Sequence, residues 1–269
     1  MKLKAWLTDI RKAARGLMKQ TSSVARRTAG VLLPCALGLL LMRLFMTLTQ
    51  TVPAAAGGGA LISLLSGLAV TPAAAGMITY ASGASWEGRS AGLKDAAHLL
   101  RIRVKEILLT GLAAGAIGFL TGGVASAAQS VLGIIPALIG WIPVLGAAVS
   151  AAVSLVGWLI ETAAGFIAHA ALVVGMLVLT ADGVSGRAQL DRALNIVKAG
   201  GRRLIGALAP VFVLLLAAYG ARDLAYLLAP AAAYIMDVPA AAACALSMTA
   251  VSVVYLQERD RQDGMKYHG

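Results

Sequence analysis

Three ionisable side chains lie inside long apolar runs of the sequence, and they are the residues most able to do chemistry there. They are Arg43, Glu161 and His169. An ionisable group within a membrane span is costly unless it is paired or in contact with water, so each is a candidate functional residue. Glu161 and His169 are eight residues apart, a little over two helical turns, and therefore share a broad face of one helix.

Two hypotheses follow for this intramembrane polar site. In the first, Glu161 and His169 form a polar pathway that relays protons or contacts a substrate. In the second, Arg43 and Glu161 form a structural ion pair, and His169 is a hydrogen-bonded core residue. The sequence favours the structural pair, because transporters typically have more polar residues in their spans than this chain has.

The chain shows no other constellation typical of an enzyme or a metal site. The two cysteines, Cys35 and Cys244, lie inside apolar runs, and the three histidines, His98, His169 and His268, form no cluster. The motifs HExxH, GxxxxGKS/T, GxSxG and CxxC are absent. We therefore expect no metal ion, no cofactor and no enzymatic activity.

The composition indicates a membrane protein. Of 269 residues, 59% are apolar and 13% are charged, and the net charge is +11. So few charges could not cover the surface of a soluble protein of this length. The basic residues lie between apolar runs rather than along one soluble face, which argues against a nucleic-acid partner.

Six apolar runs are long enough to cross a bilayer, which needs about 20 helical residues. They cover residues 30–49, 60–83, 107–128, 153–181, 204–220 and 238–256. Another apolar stretch, 131–150, is interrupted by proline and glycine. Residues 224–236 form a shorter one, and Asp237 beside Pro239 is predicted to start the last helix.

The positions of the basic residues decide the number of spans. With six spans, the segments 1–28, 84–106, 182–203 and 257–269 are cytoplasmic and hold 21 of the 23 lysines and arginines. A seventh span at 131–150 would place the last two basic segments outside, against the positive-inside rule. We therefore predict that 131–150 is a re-entrant or interfacial segment on the outer side, that 224–236 is a smaller one, and that both termini are cytoplasmic.

The predicted organisation has three parts. Residues 1–28 form a basic amphipathic helix, 29–257 form the six-span membrane domain, and 258–269 form a cytoplasmic tail. We expect the first helix to lie on anionic headgroups of the cytoplasmic leaflet, although a disordered basic tail that only enforces topology would have the same composition. The predicted contacts to lipids or partners are Lys2, Lys4, Arg11, Lys12, Arg15, Lys19, Arg26 and Arg27, with Arg202 and Arg203 in the second connector.

A weak parallel repeat relates two hairpins of the chain. Each has a Gly-Met pair in a span (Gly76 and Gly175), a candidate serine N-cap (Ser90 and Ser185), a short amphipathic helix, a basic cluster and another span. The two predicted connector helices cover 92–104 and 187–199. Small residues recur in the spans, as in the Gly-x-x-x-Gly pairs at 111/115 and 118/122, and favour tight packing within the bundle over a dimer face.

A family resemblance rests on the second connector and the end of the last span. The segment from Asp182 to Leu208 reads DGVSGRAQLDRALNIVKAGGRRLIGAL, and Tyr255 is followed four residues later by Arg259. This pattern resembles bacterial six-span proteins of the glycerophosphodiester-phosphodiesterase membrane-domain type and the related YciC-like inner-membrane proteins. The resemblance implies a six-span protein of the bacterial cytoplasmic membrane. It does not imply phosphodiesterase activity, because no catalytic segment accompanies the membrane part.

Three function classes are open on these observations. The first is a non-enzymatic accessory or scaffold protein of the inner membrane, with the lipid bilayer and a protein as partners and the connector helices as partner sites. The second is a small-molecule or lipid transporter, or a flippase-like protein, that uses Glu161 and His169. The third, an intramembrane enzyme, has no nucleophile–base pair to support it.

Overall fold

The computed structural model of the chain describes residues 2–52, 58–139 and 141–267, and this part is helical without a strand. The helices are α1 Lys2–Arg27, α2 Ala29–Thr51, α3 Gly59–Leu65, α4 Thr71–Trp86, α5 Leu93–Ile102, α6 Val104–Leu132, α7 Ile134–Ile139, α8 Pro143–Thr180, α9 Arg187–Leu228 and α10 Pro230–Tyr267. A π-helical turn, Ser66–Val70, joins α3 to α4.

Within the described residues, six helical segments are long and apolar enough to cross a membrane, in agreement with the six predicted helical spans. We number them in chain order as spans 1 to 6. Their bounds are Ala29–Thr51, Leu61–Trp86, Val104–Leu138, Val144–Thr180, Arg203–Leu228 and Pro230–Gly264.

The described residues of segment 131–150 are largely helical, and its predicted re-entrant or interfacial position in the membrane stays a prediction. Its first part extends span 3 through α7, and its second part forms the first two turns of α8. The amide of Gly133 donates to the carbonyl of Gln129, at 2.8 Å, so helical bonding continues from α6 up to the residue before α7. Pro143 is the first residue of α8, a position where a proline costs no hydrogen bond.

The predicted outer element at 224–236 is also different in the structure. Helix α9 continues to Leu228 and α10 begins at Pro230, so only Ala229 separates the two helices. Pro230 again starts a helix where its missing N–H is harmless. The prediction that Asp237 starts the last helix is wrong, because Asp237 lies two turns inside α10.

The chain divides into two compact units, and the first comprises Met1–Leu112 and Leu172–Gly269. Span 6 is its central helix, since 78% of its most apolar window is buried, against 11–44% in the other spans. Helix α10 packs against α1, α2, α4 and α9. Its buried face is rich in alanine and serine, and small side chains allow this close approach of helices.

The second unit, Ala113–Ala171, is a helical hairpin of α6 and α8. A Cβ added at Gly118 would lie 3.2 Å from the Cβ of Ala168. Farther from the unit's ends, the Gln129 amide donates to the Gly157 carbonyl at 3.1 Å. The two pairings belong to the same antiparallel register. The close contact at Gly118 and the Gln129 hydrogen bond therefore both define how α6 aligns with α8.

Both predicted connector helices exist, but their caps differ from the prediction. Gly92, not Ser90, precedes α5, and its amide donates to the Asp95 carboxylate at 2.9 Å. Gly186, not Ser185, precedes α9. Inside α9, Gly201 has φ 47° and ψ −129°, a conformation that an L side chain rarely adopts, and it separates the connector helix from span 5.

The two terminal segments are helical and continuous with the rest of the fold. The predicted tail after residue 257 continues α10 to Tyr267. In α1, a stripe of four residues at helical spacing is buried: Leu17, Thr21, Val24 and Thr28. Helix α1 packs against α2, α4, α9 and α10, so its C-terminal half lies on protein and not only on lipid.

The close approach of spans 2 and 3 at Gly111 gives a test of this packing. A Cβ at Gly111 would lie 2.5 Å from Cγ of Pro72, whereas a Cβ at Gly115 would meet nothing within 4 Å. We expect Gly111→Ala to destabilise the protein by about 1–3 kcal/mol through overpacking. Gly115→Ala is the matched control and should leave the melting temperature in detergent nearly unchanged. Equal melting temperatures for the two variants would contradict the described contact.

Candidate functional site

The densest polar site lies where span 4 ends, and we name it the Asp182 cluster. It consists of Asp182, Arg192, Tyr255, Arg259 and Asp263. The Asp182 carboxylate accepts a hydrogen bond from the Tyr255 hydroxyl at 2.7 Å and from the guanidinium groups of Arg192 and Arg259 at 3.3 Å each. Arg192 also lies 3.4 Å from a carboxylate oxygen of Asp263.

Local structure explains how these side chains meet. Asp182 follows the last turn of α8, and Gly183 with φ 71° turns the chain towards the second connector helix. Arg192 lies in the second turn of that helix. Tyr255 and Arg259 are four residues apart on α10 and therefore project from one face.

A second turn with an acidic residue followed by glycine, at Glu87 and Gly88, also lies near Arg259. Span 2 ends at Trp86, and Glu87 and Gly88 follow, with φ 76° at Gly88. One Glu87 oxygen lies 4.0 Å from the Arg259 guanidinium, and the Trp86 indole N–H donates to Asp260 at 2.8 Å. The ends of spans 2 and 4, which the sequence relates as repeats, thus both place a carboxylate near Arg259.

The centre of the cluster is largely shielded from solvent, and its positive and negative charges compensate each other. The Asp182 side chain is 10% exposed and that of Arg259 is 13% exposed. Burial lowers the pKa of Arg192, but the hydrogen bond and charge of Asp182, with the charge of Asp263, outweigh it and raise the pKa above its ordinary value. Arg192 therefore stays charged, and the cluster joins α8, α9 and α10 by ionic hydrogen bonds.

Further polar contacts attach the second connector helix to the spans. The Gln189 amide donates to the Gly175 carbonyl at 2.7 Å and lies 3.0 Å from the Thr110 hydroxyl. Gly175 is close enough to its neighbours that an added Cβ would lie 2.8 Å from Thr110. One face of the connector helix is thus held against spans 3 and 4.

A second ionic site joins spans 1, 5 and 6, and we name it the Asp237 cluster, formed by Asp237, Arg222 and Thr47. The Asp237 side chain is fully buried, and its carboxylate accepts from Arg222 Nε at 2.9 Å and from the Thr47 hydroxyl at 2.6 Å. Arg222 also donates to Thr47 at 3.0 Å and to Asp223 at 3.1 Å. Both oxygens of the buried carboxylate are therefore satisfied.

Arg43 lies one helical turn from Thr47 on span 1. Its guanidinium carbon is 4.6 Å from the centroid of the Tyr219 ring, in the geometry of a cation–π contact. Among the described residues no carboxylate lies within 4 Å of the Arg43 guanidinium. An aromatic face on span 5, rather than an acid, is the partner that the structure shows.

Glu161 and His169 lie in the second unit, on the hairpin helix α8. Glu161 is exposed, and no described residue forms an ion pair or hydrogen bond with its carboxylate. His169 is half-buried and has an interaction partner. Because Arg43 belongs to the other unit, its pairing with Glu161 stays a prediction.

The predicted lipid contacts are only partly within the described side chains. The side chains of five of these residues lie outside the part of the chain that the structure describes: Lys2, Lys4, Arg11, Lys12 and Arg202. The other five are exposed: Arg15, Lys19, Arg26, Arg27 and Arg203. Within residues 2–52, 58–139 and 141–267, no group of three or more His, Cys, Asp and Glu residues could hold a metal ion.

Comparisons with protein-family models, with curated proteins and with solved structures found no match for this chain. The family resemblance therefore stays a prediction. Its two motifs nevertheless meet in space, because Tyr255 and Arg259 of the last span both bind Asp182 of the DGVSG turn.

Sequence reasoning missed the Asp182 and Asp237 clusters as sites. The sequence analysis placed Asp182 at the start of a cytoplasmic segment, predicted Asp237 to start a helix and assigned no role to Arg222. Two signals were present: the Tyr-x-x-x-Arg spacing of Tyr255 and Arg259, and an arginine and an aspartate facing each other across the turn between spans 5 and 6.

The Asp182 cluster predicts a large effect of one carboxylate. Asp182→Asn removes the charge that compensates Arg192 and Arg259, and we expect a loss of about 2–4 kcal/mol in the free energy of unfolding. Asp191→Asn is the matched control, since Asp191 is exposed on the same connector helix. Thermal unfolding in lipid nanodiscs measures both. A melting temperature that falls equally in the two variants would refute the structural role of the cluster.

The Asp237 cluster predicts strong coupling between its two charges. Asp237→Leu alone leaves the Arg222 cation poorly compensated and should cost about 3 kcal/mol. The double variant Arg222→Leu/Asp237→Leu removes both charges, and we expect it to be more stable than the Asp237→Leu variant. A double-mutant cycle on the unfolding free energies should give a coupling of about 2 kcal/mol. Strictly additive losses would show that the pair is not a unit.

Proposed function

We propose that this protein is a non-enzymatic accessory or scaffold protein of the bacterial cytoplasmic membrane, with both termini in the cytoplasm. The observation that carries the proposal is the second connector helix, residues 187–200. One face of this helix is fixed to the spans by ionic and polar bonds, and another exposes an apolar stripe. We propose the stripe as the partner site.

The fixed face of the connector helix is defined by three side chains. Gln189 bonds to span 4, Arg192 bonds to Asp182, and Ile196 is 1% exposed. The carbonyl of Ile196 also lies 3.4 Å from the Gln262 amide of α10. These contacts orient the helix on the spans.

The exposed face carries Leu190, Leu194 and Val197, which are 56%, 44% and 43% exposed. Their spacing of four and three residues places them in one line along the helix. Exposed apolar lines on a rigid element are typical of interaction surfaces. A surface that is already rigid loses less conformational entropy when a partner binds, which favours its use as a docking platform.

The proposed orientation rests on charge. The termini and the two connectors hold 21 of the 23 lysines and arginines, and such segments remain on the cytoplasmic side. The first connector helix, α5, also exposes apolar residues at its two ends, Leu93 and Ile102. Both connector helices would therefore face the same compartment.

The paired charges also support an accessory role over transport. Asp237 with Arg222, and Asp182 with Arg192 and Arg259, use their charges to join helices. A transporter would use the polar site around Glu161 and His169, and no described residue forms an ion pair or hydrogen bond with the Glu161 carboxylate. The transport function remains the alternative, to be tested by replacing Glu161.

A site-specific crosslink tests the partner site. A photoreactive amino acid at Leu194, activated in native membranes, should give a protein adduct of one discrete mass. The same group at Ile196 is the control and should give none, because that side chain points into the protein. The adduct should disappear when Leu190→Asp and Val197→Asp are added, while the melting temperature stays within about 2 °C, in line with surface substitutions. Adducts with lipid alone at Leu194 would reject the scaffold proposal.

A further inference from the structure

A groove on helix α1 has the composition of a phosphate site. It is an open concavity of about 480 Å³ lined by two kinds of side chain, three basic and two hydroxyl. They are Lys19, Ser22, Ser23, Arg26 and Arg27. These residues form two adjacent rows along one side of the helix. Lys19, Ser23 and Arg27 make one row at intervals of four residues, and Ser22 and Arg26 make the other.

The groove is held facing away from the protein. The buried stripe of α1, which includes Leu17 and Val24, lies on another side of the helix, against the spans. Gln20 of α1 is also hydrogen-bonded to Gln257 of α10. Because α1 is fixed by these contacts, the five lining residues stay exposed.

The charge of the groove is not compensated by the chain. Among the described residues, no carboxylate lies within 4 Å of the basic groups of Lys19, Arg26 or Arg27. The sequence contains no acidic residue between Asp9 and Glu87. The Ser22 hydroxyl donates to the Lys19 carbonyl at 2.9 Å, so Ser23 is the hydroxyl left to donate to a ligand.

One end of the groove adjoins the start of span 1. Arg27 precedes Ala29, the first residue of span 1, by two residues. Lysines and arginines immediately outside a span attract anionic headgroups of the adjoining leaflet. The proximity of Arg27 to span 1 therefore suits the groove to a lipid phosphate of that leaflet.

We propose that this groove binds a phosphate monoester, presented by an anionic lipid headgroup. Three cations suit a group with a charge of about −1.5 to −2 at neutral pH, which a phosphate monoester carries and a phosphodiester does not. Arginine binds phosphate oxygens through two parallel N–H bonds, and Arg26 and Arg27 can both reach one phosphate from neighbouring rows. A free phosphate monoester has the same chemistry, so the test separates the two sources.

The experiment uses the full-length protein in nanodiscs of phosphatidylcholine with either phosphatidic acid or phosphatidylglycerol. Retained lipid is measured by native mass spectrometry. We expect a preference for phosphatidic acid that falls about tenfold or more in the triple variant K19Q/R26Q/R27Q. The matched control is K94Q/R101Q/K198Q, which removes three exposed cations from the connector helices and therefore has the same net charge as the groove variant.

Three outcomes decide the proposal. Loss of the preference only in the groove variant, with no competition by inorganic phosphate, supports a lipid ligand. Competition by millimolar inorganic phosphate, again only with the groove intact, supports the same site with a soluble source. Equal loss in the groove and control variants would overturn the proposal, since the net charge alone would then explain binding.

A second variant covers the case in which the triple variant does not fold. Ser23→Glu adds one carboxylate between Lys19 and Arg27 without removing a basic residue. We expect it to lower the preference for phosphatidic acid, while Ser90→Glu, on the exposed loop before α5, leaves the preference unchanged. Identical lipid retention in the two glutamate variants would also overturn the proposal.

Discussion

Two carboxylates, the largely shielded one of Asp182 and the fully buried one of Asp237, hold together the part of the fold that contains most of the spans. A charge between apolar helices is tolerated only where an opposite charge and hydrogen-bond donors meet it. Asp237 meets Arg222 and Thr47 across spans 1, 5 and 6, and Asp182 meets Arg192, Arg259 and Tyr255 across α8, α9 and α10. Each acid therefore specifies which helices are neighbours, a choice that apolar packing alone makes weakly in lipid.

Helix α10 contributes residues to both clusters and thereby connects them. It is the most buried span, and small residues on its surface let α1, α2, α4 and α9 approach closely. Asp237 lies near one end of this helix, and Tyr255 and Arg259 lie towards the other. The proposed partner site depends on the second of these ends, since the connector helix is oriented by Arg192 through Asp182 and Asp263.

The two proposed binding surfaces use different physics on the side predicted to be cytoplasmic. The connector stripe of Leu190, Leu194 and Val197 offers apolar area on a fixed helix, which suits a protein partner. The groove on α1 offers uncompensated cations and a free hydroxyl, which suit a phosphate. The two can operate together, because a lipid-bound α1 would hold the protein in the leaflet while the connector helix meets its partner.

The sequence alone determined the six spans and both connector helices, because apolar run length and the positions of basic residues are local properties. It did not determine the extent of spans 3 and 4. A proline ends a helix in its interior but is harmless in its first turn, and the sequence does not show where the turn between the two spans lies. The partners of Asp182, Asp237 and Arg43 were decided only by the tertiary structure. These contacts join residues far apart in the chain, such as Thr47 and Asp237, and no helical periodicity relates such distant positions.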